Sequence, residues 1–324
     1  MTLEDNLRDG RSALWIDIAP MVSLAAGSLD SFRSASGVNS RLAHWAPAEP
    51  TLRWFKSFVQ LAASTAPLRE IEILQTVGDT SLGGPVTATV ECPQHKDVPD
   101  KTPHRKHYLT ADLDYLYAAE EAGFIETALE LESIKTVVEL GAGFGRTAHT
   151  LLRISPTITQ YVIVDLAETL KLSLEYLKQV LPDQDFAKLR FITPDAVASI
   201  DHNFDLLIQI DGFQEMDNDV IDRFYANLIP RSTWLYLSNP IGKYLPETAG
   251  LTGVNPDLVE TVMVLGKSQS IVDPWDSETL GPVRDHHVDA YRPDGFKYLI
   301  STPSRLRPLY QHVMYESVSN QNKL

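Results

Sequence analysis

Residues 137–148 read VVELGAGFGRTA. An apolar run enters a stretch with glycine at 141, 143 and 145, and a helix-forming segment follows from Arg146. Glycines at alternate positions let the chain turn sharply and let a ligand approach the backbone. The helix that starts there presents unpaired N–H groups toward the same point. Strand, glycine turn and helix in this order make a nucleotide-binding turn at the carboxyl end of a strand.

The sequence around it keeps the same rhythm. Five apolar runs, KTVVEL (135–140), QYVIVDL (160–166), LRFIT (189–193), FDLLIQI (204–210) and TWLYLS (233–238), alternate with helical segments at 146–153, 167–181, 194–200 and 215–229. Continuously apolar strands separated by helices predict a parallel sheet covered on both faces. A further helix is expected at 256–266, and an Asp294-Gly295 turn leads into a late strand. The fold class is therefore α/β, a doubly wound, mostly parallel sheet. Upstream, LRWFKSFVQLAAS (52–64) predicts a helix capped by Thr51, with Leu52, Phe55, Phe58 and Leu61 on one stripe. Residues 78–106 predict a loop with one strand at VTATV, and 112–131 a long helix with acids on its solvent face. The expected division is a helical and loop region at 1–110, covering substrate or mediating oligomerisation, and a nucleotide-binding domain at 111–324.

The type of nucleotide follows from three positions. A dinucleotide G-x-G-x-x-G would need glycine where Arg146 stands, and no G-K-[ST] follows for a P-loop. The motif is instead E-x-G-x-G-x-G, with Glu139 inside the strand, where a carboxylate can serve a ligand ammonium through backbone or water. Asp165 ends the second strand, placed to accept hydrogen bonds from two ribose hydroxyls. Asp195 follows the third, placed for an adenine amino group, with Ala196 and Val197 beside the ring.

These residues resemble the class I S-adenosylmethionine-dependent methyltransferases. YLYAAEEAG before the glycine motif, FDLLIQIDGFQEM (204–216) and WLYLSNP (234–240) are similar to a bacterial sugar O-methyltransferase family within that class. The resemblance implies a seven-stranded sheet and S-adenosyl-L-methionine as cofactor. It implies cofactor contacts from Glu139, Gly141, Ala142, Gly143, Gly145, Asp165, Leu166, Asp195, Ala196 and Asp211. The implied reaction is methyl transfer to a hydroxyl of a sugar or sugar-like molecule, free or nucleotide-linked. An amino-sugar N-methyltransferase and a non-catalytic binding protein are the alternatives.

A hydroxyl acceptor benefits from a base at the carboxyl edge of the sheet. The candidates are Asp211 and Glu215, at the positive N-terminus of a helix expected to start near Phe213, and His286 or His287 in an expected late loop. Asn239 lies at the same edge, and Trp45, Trp275 and Tyr291 are candidates for a sugar platform. Asn239 stands where a Mg²⁺ site would want a carboxylate, so no metal is expected. Cys92-x2-His95 and His104-x2-His107 have zinc-like spacing, but nothing else suggests a zinc module. A net charge of −15 argues against nucleic acid and anionic membranes as partners. Acids among the first ten residues, a single cysteine and no long apolar stretch lead us to expect a cytoplasmic location. A homo-oligomer is compatible with the sequence.

Overall fold

The computed structural model describes residues 29–34, 52–91, 108–248, 250, 253–273 and 275–319. Thr51, Trp45 and the zinc-like set Cys92, His95, His104 and His107 lie outside them. Helices α1 (Leu52–Ser64) and α2 (Leu68–Val77) come first, then a hairpin-like pair, β1 (Thr87–Glu91) and β2 (Tyr108–Asp112). Helix α3 (Leu113–Ala128) leads into β3 (Thr136–Leu140), α4 (Arg146–Ile154), β4 (Gln160–Val164), α5 (Ala167–Val180), α6 (Asp183–Phe186) and β5 (Leu189–Ile192). The order continues with β6 (Phe204–Ile210), α7 (Asn218–Asn227), β7 (Ser232–Pro240), α8 (Pro256–Val264), α9 (Ser277–Ala290), β8 (Phe296–Pro303) and β9 (Tyr310–Ser317).

The main sheet has seven strands in the order β5-β4-β3-β6-β7-β9-β8. All neighbours from β5 to β7 are parallel, and β9 runs antiparallel to both β7 and β8. All five apolar runs are strands, and β3 and β4 are buried at four of five positions because helices cover both faces. The chain reverses direction across the sheet between β3 and β6, the place where open α/β sheets bind ligands.

Other elements differ from expectation for physical reasons. Leu61 is exposed; Phe55 and Phe58 of the expected stripe pack against the core, and its centre shifts to Val59, Ala62 and Ala63. Strand β2 occupies residues just before α3, and Asp112 caps that helix by accepting from Tyr115 N (3.2 Å). Two acids of α3 do not face solvent. Glu120 and Glu121 are buried, because the helix lies between α2, α4 and β9: Glu121 meets Arg146 and Arg307 there, and Glu120 accepts from Ser304 Oγ and Arg305 N. Strand β9 carries Gln311, His312 and Glu316, which hide its apolar pattern; His312 Nδ1 pairs with Tyr236 Oη at 2.8 Å inside the core. Buried residues of α1, α2, the β1–β2 pair and α3 share one core with a face of the sheet.

Candidate active site

The glycine turn has the expected geometry. Gly141, Gly143 and Gly145 have φ of 73°, 58° and 93°, left-handed values that glycine adopts without steric cost. Their surroundings differ. A Cβ on Gly145 would stand 2.7 Å from Leu177 Cδ1, whereas one on Gly143 would meet no atom within 4 Å. Gly145 is therefore closed by α5, and Gly143 borders open space. Gly141 N donates to Val164 O (2.8 Å), fastening the turn to β4. Ala142 and Phe144 between the glycines point into the core.

Asp165 holds this turn from the next strand. Its Oδ2 accepts from Gly143 N (2.9 Å) and its Oδ1 from Leu166 N (2.7 Å), leaving further lone pairs. Burial raises its pKa to about 7, against the two backbone donors, which favour the carboxylate. Glu139 lies deeper, accepting from Tyr161 Oη (2.7 Å), and burial raises its pKa to about 7 as well. Asp195 and Ala196 fall in a short 3-10 turn, Pro194–Ser199, at the end of β5.

The other half of the edge is assembled from distant residues. Asp211 ends β6 with φ 63°, the one positive φ among the described non-glycine residues, a strained conformation. Its N–H donates to Ser238 O (2.9 Å), and its Oδ1 accepts from Tyr310 Oη (2.8 Å). Gln209, turned so that its carboxamide oxygen accepts from Gly212 N (2.6 Å) and Phe213 N (2.8 Å), fixes the bend from below; its nitrogen faces Asn239 Oδ1 at 3.3 Å. Asn239 is buried and structural in this arrangement. The expected helix at Phe213 is a 3-10 turn, Gly212–Glu215, and α7 starts only at Asn218. The bend needs the tighter turn.

Behind Asp211 lies a chain of buried charges. Arg307 stacks over the Tyr310 ring (4.1 Å) and pairs with Glu121 (2.7 Å), which also takes a fork of two bonds from Arg146 (2.8 and 2.9 Å). Arg146 thus links the glycine turn to the Asp211 bend through Glu121, Arg307 and Tyr310. Lys243, three residues past β7, is buried with its Nζ 3.4 Å from Gln214 O.

The histidine pair sits elsewhere than expected. Both residues belong to α9, not a loop: Asp276 caps that helix by accepting from Glu278 N, and Pro282 lies inside it. His286 is exposed. His287 is fully buried, with Nδ1 2.6 Å from Ser268 Oγ, and burial lowers its pKa to about 3. Tyr291 packs between His287 and Phe213 as core, its ring parallel to that of Phe213, so it offers no platform. Trp275 is 78% exposed and is held by Nε1 donating to Thr248 O (3.0 Å).

From the N-terminal side, Phe32 packs on Phe144 of the glycine turn, and the buried Arg33 guanidinium lies 5.0 Å from the same ring. Nothing in the sequence around Arg33 marks this contact, because its partners Asp112 and Asp114 are some eighty residues away. Among the described residues, no group of three or more His, Cys, Asp or Glu could hold a metal ion, and no helix is long and apolar enough to cross a membrane.

The sequence matches no protein-family model and no curated protein. Among solved structures it is similar to the mitomycin 7-O-methyltransferase MmcR, at 14% identity over 62% of this chain and 56% of that one, TM-score 0.41. It is also similar to the glycopeptide N-methyltransferase MtfA complexed with S-adenosyl-L-methionine, at 15% identity over 62% and 86%, TM-score 0.41. A third is the methyltransferase domain of bacterial CtHen1, at 15% identity over 62% and 98%, TM-score 0.43. The chain therefore spans little more than half the length of MmcR. At such identities and scores, none of these activities transfers to this chain.

Proposed function

We propose that this chain is an S-adenosylmethionine-dependent methyltransferase acting on a hydroxyl of a sugar or sugar-like small molecule. The observation that carries this reading is the glycine turn: open space beside Gly143, with Asp165 clasping the turn at the point where the strand order reverses. A glycine turn that borders open space, with one acid beside it, suits an adenosyl ligand. Gly141, Ala142, Gly143 and Gly145 would hold it, with Asp165 and Leu166 toward the ribose and Asp195 and Ala196 toward the base. Glu139 and Asp211 would serve the amino-acid end. When bound, S-adenosylmethionine supplies a methyl group on a positively charged sulfur.

The chain's own part is alignment. The strained Asp211 bend, fixed by Tyr310, Gln209 and Ser238, holds a carboxylate at the same edge as the glycine turn, where an acceptor hydroxyl can be oriented for in-line attack. Trp275, exposed and held by Thr248 O, would offer its ring to a sugar acceptor. The test is mass-spectrometric detection of methylated product from a panel of sugars, nucleotide sugars and amino sugars, with and without excess EDTA. A gain of one methyl group on a hydroxyl, unaffected by EDTA, is expected. Methylation only of amines would replace the oxygen acceptor by nitrogen, and loss of turnover in EDTA would bring in a metal.

A further inference from the structure

Lys243 is built into the acceptor edge with unusual care. Its N–H donates to Ser270 O (2.8 Å) and its carbonyl accepts from Val272 N (2.7 Å), so the 270–272 segment grips its backbone from both sides. Gly242 makes that possible: a Cβ there would stand 2.4 Å from Ser270 O. The fixed backbone sends the side chain inward, 7% exposed, to the turn that carries Asp211 and Glu215.

Among the described residues, several buried or half-buried cations have short carboxylate partners. Arg307 meets Glu121 at 2.7 Å, Arg146 meets Glu121 at 2.8 Å, and Lys188 meets Asp185 at 2.9 Å. Lys243 Nζ instead has a neutral carbonyl at 3.4 Å. The charged groups that act on it, Asp211 and Glu215, both come from the turn; Tyr310 and Arg307 reach it through Asp211. Burial outweighs the two carboxylates and lowers its pKa to about 8. A neutral amine is then accessible near physiological pH, which an ordinary lysine does not offer.

We infer that Lys243 is the proton acceptor for the acceptor group that receives the methyl, an inference that rests on the methyltransferase reading above. The hydroxyl proton passes to the neutral Lys243 amine as the acceptor oxygen bonds to the methyl carbon. The carbon–sulfur bond breaks with its electron pair left on sulfur, so the sulfonium becomes a thioether and the amine an ammonium. Lys243 then gives the proton to water. Asp211 and Glu215 keep the ammonium from becoming too acidic, and so set when the residue recovers. His287 has no comparable position: its ring is enclosed behind Tyr291.

Two measurements test this. Trace labelling of the whole chain with acetic anhydride from pH 6 to 11, read peptide by peptide, gives the titration midpoint of each lysine. Lys243 is expected to show a midpoint near pH 8, about two units below the ordinary lysine value, and a midpoint at that ordinary value would overturn the inference. The second uses an acceptor from the product panel. Lys243→Arg keeps a cation but no base, and should lower kcat by about 10²–10⁴-fold with S-adenosylhomocysteine affinity within about twofold. Lys243→Ala should lose the same activity and recover part of it on addition of methylamine. Full turnover by Lys243→Arg, with an unchanged pH profile, would sink the lysine's role alone. Failure of the unaltered chain to bind S-adenosylhomocysteine would sink the methyltransferase reading instead.

Discussion

The two halves of the sheet's carboxyl edge are built by different means. The β3–β5 half is mostly backbone: three left-handed glycines, a helix N-terminus and one aspartate within twenty-five residues of one another. The β6–β9 half is side chains drawn from across the chain, with Tyr310 reaching Asp211 from 99 positions away and Arg307 reaching Glu121 from 186. A backbone cradle depends on local conformation and tolerates little change of shape. A side-chain network depends on buried charge balance and fails when one partner is lost.

The largest effect is expected in the second half. Arg307→Met removes one of two cations on a fully buried Glu121 and should cost about 3–5 kcal/mol, seen as a lower urea midpoint. A midpoint like that of the unaltered chain would mean that Arg146 alone balances Glu121. In the cradle, Gly145→Ala forces a left-handed alanine against Leu177 and should cost about 2–4 kcal/mol. Gly143→Ala, with the same backbone demand but open space, should stay folded and lose ligand binding instead. Equal stability losses in the two alanine variants would erase the distinction between a packed and an open glycine.

A pH measurement sharpens the contrast between them. Glu139 has its folded pKa raised to about 7, so the folded chain holds a proton that the unfolded chain releases above about 4.5. Its contribution to stability is therefore greatest below that value and is lost as pH rises toward 7. Glu139→Gln keeps an acceptor for Tyr161 and has no charge to bury. Relative to the unaltered chain it should gain up to about 3 kcal/mol between pH 5 and 8, measured by urea unfolding at both values. Parallel profiles would show that Glu139 is not the group responsible. The smallest effect is Tyr310→Phe, which removes one hydrogen bond to a partly exposed carboxylate, about 1.5 kcal/mol. It should relax the Asp211 bend and lower acceptor turnover more than cofactor affinity.

The same division governs what could be read from sequence. The glycine turn, Asp165 and the five apolar strands were legible, because each is a local pattern whose meaning is set within a few residues. Glu120 and Glu121 look solvent-facing in the sequence because their partners Arg305, Arg307 and His312 lie far along the chain. His286 and His287 stand in a segment with Gly281 and Pro282 that suggested a loop; the Asp276 cap was the available sign of a helix. Lys243 carried no signal at all, since a lysine between Gly242 and Tyr244 looks like any surface residue until the 270–272 segment covers it. Strand β9 was hidden by the polar residues that the core later satisfies in pairs.

Calorimetric titration with S-adenosylhomocysteine and, separately, NAD tests the central claim most directly. The unaltered chain should bind S-adenosylhomocysteine and not NAD. Asp165→Ala should weaken that binding by about 1.5–3 kcal/mol for each hydrogen bond lost, and Gly143→Val should abolish it while leaving the chain folded. Binding of NAD in its place, or unchanged S-adenosylhomocysteine affinity in both variants, would contradict the account.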